Sequence, residues 1–303
     1  MANNPLILFS IVIPTFNRAV FIVETIHSLL SQTYTKFEII VVDDGSTDNT
    51  EAVIKNIKDE RVQYHKVKNG ERGAARNYGA KIAKGEYINF FDSDDVAYSI
   101  HLDTAFKLVN NYNHPEIFHL GYDVVDNERK VVRAVNDLTG DVNLRLFTKG
   151  NVFSCNGVFM RKDIAMNHPF IEDRNLAGSE DAVLWMQLAC HYKWICNNTI
   201  TTSIIDHDSR SVVSMNKEKL IGRLNLFVNN VITYPPFVAR FSSYSKYIRT
   251  EAYTYAALHL AMVGYTKDAL LYLFKMYGND ISTFATRRNL ACIKRIILSV
   301  RVK

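Results

Sequence analysis

Short β-branched runs alternate with amphipathic stretches through the first hundred residues, which is the pattern of buried strands and covering helices in an α/β sheet. "ILFSIVIP" predicts a first strand ended by Pro14, and "AVFIVETIHSLLSQT" follows with apolar residues at helical spacing. "FEIIVVDDGSTDNTEAVIKNI" repeats the plan: a strand, a polar turn with Gly45, then a helix with Ser46 or Thr47 as its cap. "RVQYHKVK" predicts a third strand, "GAARNYGAKIAKG" a small-residue helix closed by Gly85, and "EYINFF" a fourth strand.

After a helix near 99–112 the pattern loosens. From Pro115 to Lys162 it offers short strand candidates, "EIFHLGYDVV", "KVVRAV" and "NGVFMRK", rather than repeating units. "SEDAVLWMQLACHY" reads as a helix with Ser179 at its start, and "WICNNTITTSIIDHDSRS" as strand and loop. Beyond Met215 the character changes to successive helices. The expected organisation is a sheet domain over 1–215, with halves at about 7–112 and 113–215, and a helical region over 216–303. The helix pair around Gly264 resembles a tetratricopeptide hairpin, but one hairpin is not an array, so it is read as packing.

The 303 residues, 48% of them apolar or aromatic, are ordinary for a packed globule. No run of about 18 apolar residues occurs, and "NNPLILFSIVIP" lacks the basic flank and cleavage site of a signal peptide, so a cytoplasmic location is expected. Cys155, Cys190, Cys196 and Cys292 show no metal-ligand or redox spacing and are read as small apolar fillers. The net charge of +5 is unevenly placed: "ISTFATRRNLACIKRIILSVRVK" has six basic residues and no acidic one. That end is read either as a docked helix with a solvated basic face or as a peripheral contact with the inner face of a membrane. Nothing points to nucleic acid.

Chemistry concentrates where the strands end. In an open parallel sheet ligands bind at the carboxyl ends of the strands. Here those ends carry "PTFNR", "DDGSTD" and "DSDD", and the helix before the fourth strand carries "ARN". Asp92, Asp94 and Asp95 crowd three carboxylates into four positions, so they need a metal, a shared proton or solvent. "FFDSDDV" resembles the first motif of the haloacid dehalogenase phosphatases. That family, however, places the motif on its first strand and needs a downstream acidic pair that is not recognisable here.

The ordered set "SIVIPTFNR", "EIIVVDDGSTDNT", "GAARNYGAKIAKGEYINFFDSDD" and "SEDAVLW" resembles the family 2 glycosyltransferases over about residues 7–215. The resemblance implies an α/β GT-A fold, with a Rossmann-like mixed sheet, and inverting transfer from a nucleoside-diphosphate sugar. It also implies a divalent cation, Mn2+ or Mg2+, and assembly of a cell-surface polysaccharide. Residue by residue, it makes Asp94 the metal ligand of a DXD motif, with Asp92 at the ribose or a metal-bound water and Ser93 among the nucleotide-sugar contacts. Asp44 reads the nucleobase, with Pro14, Thr15, Phe16 and Asn17 walling its pocket. Asp181 is the general base, and Glu180 is an acceptor contact. His207 completes the metal shell or meets the diphosphate, and Arg210 or Ser211 binds phosphate. Arg76 is suited to clamp phosphate because its fork makes two parallel charge-assisted bonds. A UDP-sugar donor is favoured, with a glycan or lipid-linked hydroxyl as acceptor. A nucleotidyltransferase lacks its Gly-rich basic loop here, and a degenerate sugar-nucleotide scaffold leaves the retained acids unexplained.

Overall fold

The computed structural model describes residues 6–207, 216–280, 290, 293 and 294. The first half of the sheet is built from β1 (Phe9–Thr15), α1 (Ile22–Leu30), β2 (Phe37–Asp43), α2 (Thr50–Lys55), β3 (Val62–Lys66), α3 (Glu71–Ile82) and β4 (Tyr87–Phe90). β1, β2 and β4 are buried along their whole length, as expected of parallel strands covered on both faces. A two-residue strand, β5 (Val96–Ala97), then leads into α4 (His101–Asn111). The less regular stretch contains β6 (Ile117–Val125), β7 (Val131–Val135), α5 (Val142–Lys149), β8 (Val158–Arg161) and α6 (Lys162–Asn167). It is followed by α7 (Glu180–Ala189) and β9 (Ile195–Ile205). β5, α5 and α6 are too short to show a period in sequence.

The strand order is β3-β2-β1-β4-β8-β6-β9-β5, with β7 paired to β6. β3, β2, β1 and β4 run parallel, whereas β8 is antiparallel to both β4 and β6. This mixed sheet places the ends of β1, β2 and β4 along one edge. The register sets Thr15 beside Asp43 and Val12 beside Phe90.

Two local expectations are corrected. Neither Ser46 nor Thr47 caps α2: Ser46 Oγ accepts from Asn17 N at 2.9 Å, and Asp48 Oδ1 accepts from Thr50 N at 3.0 Å at the helix start. Gly85 does not close α3, which ends at Ile82; a Cβ at Gly85 would lie 2.6 Å from Ser10 N and 2.7 Å from Leu8 O. It is glycine because two backbones meet there.

The chain separates into two compact units. One comprises described residues 6–142, 152–184 and 192–207, and the other 143–151, 185–191 and the described residues from 216 onward. The second unit contains α8 (Lys217–Ile232), α9 (Pro235–Phe241), α10 (Ser245–Met262) and α11 (Thr266–Asn279). Its core sets Leu220 and Leu224 of α8 with Ala256, Ala257 and Leu260 of α10 and Ala269, Leu273 and Met276 of α11. The alanines let the α10–α11 hairpin close tightly. Among the described residues no helix is long and apolar enough to cross a membrane. The basic stretch 281–303 lies outside the described residues apart from Leu290, Ile293 and Lys294.

Candidate active site

The end of β1 is tied to the loop after β2. Asn17 adopts a left-handed φ of 52°, which asparagine tolerates better than most residues. Its Oδ1 accepts from Thr47 N at 2.8 Å. Pro14 and Thr15 lie inside the buried strand, and among the described residues Thr15 Oγ1 is buried without a hydrogen-bond partner. Phe16 is 46% exposed, an open aromatic face at the strand's mouth.

The two adjacent aspartates of "VVDDGS" do different things. Asp43 accepts from Ser46 N at 2.7 Å and from Tyr64 Oη at 2.6 Å, which holds the turn through Gly45 at φ 83°. Asp44 faces the loop before α3: Gly70 N, Glu71 N and Asn69 Nδ2 donate to its carboxylate at 2.7, 2.9 and 3.0 Å. Burial pushes its pKa up, against the pull of the Gly70 and Glu71 amides. Arg174 clasps the same loop from outside, with Nη2 at 2.5 Å from Asn69 O. The group expected to read a nucleobase thus supports the segment 69–71 in this structure.

At the end of β4 the acids separate by burial. Asp95 accepts from Asn156 Nδ2 at 2.7 Å and from Ile205 N at 2.9 Å. Burial raises its pKa well above the usual range, and Asp94 and Asp92 raise it further. Asn156 also accepts from Asp92 N at 2.8 Å, so one amide organises the whole turn. Ser93 is buried. The Asp94 carboxylate lies 3.4 Å from Arg18 Nε and 3.3 Å from His207 Nε2. His207 is brought there because the Ile205–Asp95 bond anchors the end of β9, and its ring stacks on Phe21 at 4.5 Å.

Arg76, 2% exposed, spans two clusters. Its Nη2 donates to Asp92 Oδ1 at 2.9 Å and its Nη1 to Glu180 Oε1 at 2.6 Å, with Phe170 5.2 Å from the guanidinium carbon. Glu180 is buried and also accepts from Gly178 N at 2.6 Å. Asp181, beside it, is only partly buried and accepts from its neighbour Ala182 N at 2.7 Å. Burial and the Glu180 charge push the Asp181 carboxyl up to about 6, against the attraction of Arg76. A carboxyl titrating there can accept a proton near neutrality.

Among the described residues neither nitrogen of the buried His207 ring has a hydrogen-bond partner, although Nε2 faces Asp94. Asp92 keeps one oxygen clear of Arg76 and is 36% exposed. An imidazole and two carboxylates suit Mn2+ or Mg2+ when phosphate and water complete the shell. Among the described residues no three such side chains are gathered into a metal-holding group; Asp94 and His207 are the pair that meets, at 3.3 Å. Arg210 and Ser211 lie outside the described residues.

Three contributors were not singled out from sequence. Asn156 carries no signal, because its partners are 61 and 64 residues away. Arg18 stood inside "PTFNR" without a role, and the Arg76–Glu180 bridge joins residues 104 apart.

Residues 10–165 match the family model "Glycosyl transferase family 2". An uncharacterised glycosyltransferase of Rickettsia bellii is 33% identical over 184 residues, covering 59% of this chain and 26% of that protein. The chain spans between 26% and 39% of the length of this and two further Rickettsia relatives. An Escherichia coli protein, UDP-Glc:alpha-D-GlcNAc-diphosphoundecaprenol beta-1,3-glucosyltransferase WfaP, is 34% identical over 191 residues, covering 60% of this chain and 70% of that one. Among solved structures, S. aureus TarS 1–349 in complex with UDP-GlcNAc superposes with a TM-score of 0.60 at 18% identity, over 97% of this chain and 91% of that one. The mannosyltransferase PcManGT from Pyrobaculum calidifontis, in complex with GDP-Man and Mn2+, gives 0.57 at 17%, over 97% and 86%. The sheet and its flanking helices are therefore those of a GT-A-like glycosyltransferase fold.

Proposed function

The chain belongs to the family 2 glycosyltransferases, and from that membership we propose that it is an inverting enzyme using a nucleoside-diphosphate sugar, in the first place a UDP-sugar. The acceptor is a hydroxyl of a glycan or lipid-linked saccharide in cell-surface polysaccharide assembly, reached from the cytoplasmic face of the membrane. One observation carries the reading: Arg76 holds the β4 turn and the start of α7 together, so that Asp94 with His207 and the open carboxyl of Asp181 belong to one arrangement.

In this mechanism Asp181 takes the proton of the acceptor hydroxyl as its oxygen forms the bond to the anomeric carbon and the diphosphate departs with the bonding pair. The displacement inverts that carbon because attack comes from the face opposite the leaving group. Asp94 and His207, with the second oxygen of Asp92, would hold Mn2+ or Mg2+, which when bound supplies Lewis-acid stabilisation of the diphosphate charge. Phe16 offers a face to the nucleobase, and Pro14, Thr15 and Asn17 wall the same pocket. Asp44 acts there through the 69–71 loop as well as by its own carboxylate. Ser93 supports the ribose end, Arg210 meets phosphate, and Arg76 sets the spacing of the two acid clusters.

Thermal stabilisation by a panel of UDP- and GDP-sugars with Mn2+, followed by donor hydrolysis, tests the proposal, since a ligand of the native state raises its melting temperature. Asp94→Ala should remove the Mn2+-dependent stabilisation. Asp181→Asn should keep it and lower turnover by roughly 10²- to 10⁴-fold. No stabilisation by any sugar nucleotide, or full turnover by D181N, would contradict the assignment.

A further inference from the structure

One face of α11 is apolar and open. Leu270, Leu271 and Phe274 are 40, 50 and 70% exposed. At roughly 3.6 residues per turn they fall within one arc together with the exposed Lys267 and Lys275. The other face of the helix, through Ala269, Leu273 and Met276, is used up in the core of the helical unit. Among the described residues of α11 the face carries no negative charge: Asp268, the acid of the helix, is held by Lys217 Nζ at 2.8 Å. Charge is also biased along the chain, with fourteen Lys and Arg against four Asp and Glu from residue 216 to the end, and twenty-two against twenty-seven before it.

We propose that this face of α11 docks on an anionic lipid surface, with Leu270, Leu271 and Phe274 entering the boundary between headgroups and acyl chains and Lys267 and Lys275 meeting lipid phosphates. The combination selects the occupant. Three adjacent exposed apolar side chains mark an interaction surface, and flanking lysines with long apolar stems are suited to an interface that is oily below and anionic above. A second copy of the chain packed face to face would set these lysines against their own equivalents in a strongly basic segment, which costs rather than gains energy. A lipid phosphate layer supplies the missing counter-charge. The proposal is independent of the catalytic reading.

Co-sedimentation of the full chain tests it, using vesicles of phosphatidylcholine alone and with phosphatidylglycerol admixed. Binding should appear on the anionic vesicles and fall as salt is raised. Leu271→Glu with Phe274→Glu should weaken it at least tenfold. Lys267→Gln with Lys275→Gln should weaken it by roughly 20- to 30-fold, at about 1 kcal/mol per cation near such a surface. All four side chains are exposed, so melting temperatures should hold, and the lysine pair leaves the apolar face intact as a second line of evidence. Equal pelleting on neutral and anionic vesicles overturns the proposal, as does undiminished binding by both double variants. A dimer in light scattering that the Leu271 and Phe274 changes split would give the face to a second copy instead.

Discussion

The turn after β4 and the start of α7 handle neighbouring acids in the same way. In each, one carboxylate is buried and engaged by protein donors: Asp95 by Asn156 and Ile205, Glu180 by Arg76 and Gly178. In each, the acid beside it is more open: Asp94 faces His207 and Arg18, and Asp181 bonds only the adjacent amide among the described residues. The difference between them is electrostatic. Asp95 sits among other carboxylates, whereas Glu180 has a guanidinium 2.6 Å away. Each acidic pair is therefore unequal, with one acid fixed by protein donors and the other left more open.

Removing the link between the two regions should have the largest effect on the fold. Arg76→Met takes the nearer of two guanidinium partners from the buried Glu180, leaving only Arg72 Nε at 3.9 Å among the described residues, a change that costs about 3–5 kcal/mol. Arg76→Met with Glu180→Met should recover much of that stability in urea melts while leaving activity low, because the buried charge is gone but the spacing is not restored. A double variant no more stable than Arg76→Met would mean that Glu180 is not held by the charge of Arg76.

Next in size is the contrast inside the β4 turn. Asp95→Ala strands the Ile205 amide and the Asn156 carboxamide, costing about 2–4 kcal/mol, or roughly 5–15 °C in melting temperature. It should also loosen donor binding, since His207 loses the anchor of its strand. Asp94→Ala, with a more open side chain, should change stability by less than about 1 kcal/mol while removing the metal-dependent response. Equal melting temperatures for the two variants would erase the proposed division between anchor and ligand.

Much of this is legible in the sequence. Strand ends could be found because β1, β2 and β4 are continuous apolar runs that stop at Pro14 or at acids, and the motif order then named the family. Which acid in a pair is the anchor could not be read, because burial depends on partners far along the chain. Asn156 and Ile205 are 61 and 110 residues from Asp95, and no local period connects them. Arg76 shows the same limit: its chemistry suited a phosphate, yet its two nearest anions are carboxylates from β4 and α7. The two-residue β5 escapes for a simpler reason, being held by its pairing with β9 rather than by its own pattern.

The smallest effect isolates Asp181 itself. Its folded pKa of about 6 stands above the ordinary aspartate value near ~3.9, first because of burial and then because of Glu180. A raised carboxyl pKa means that the protonated form is favoured on folding, so this stabilisation is complete below pH ~4 and is lost as pH rises through about 6. Asp181→Asn removes the dependence: it should melt at the same temperature as the parent at pH ~4 and a few degrees higher at pH ~8, an effect of about 1–2 kcal/mol after allowance for its partial exposure. The same ionisation should give the parent enzyme an acidic limb in kcat/KM with a midpoint near 6, since a base must be ionised to act. The two measurements share one group but have opposite signs, with activity gained over the interval in which stability is given up. A flat stability difference between parent and variant across that interval would mean that Asp181 is not the strained acid of its pair, and the comparison with the β4 turn would fail at the point where it bears most directly on catalysis.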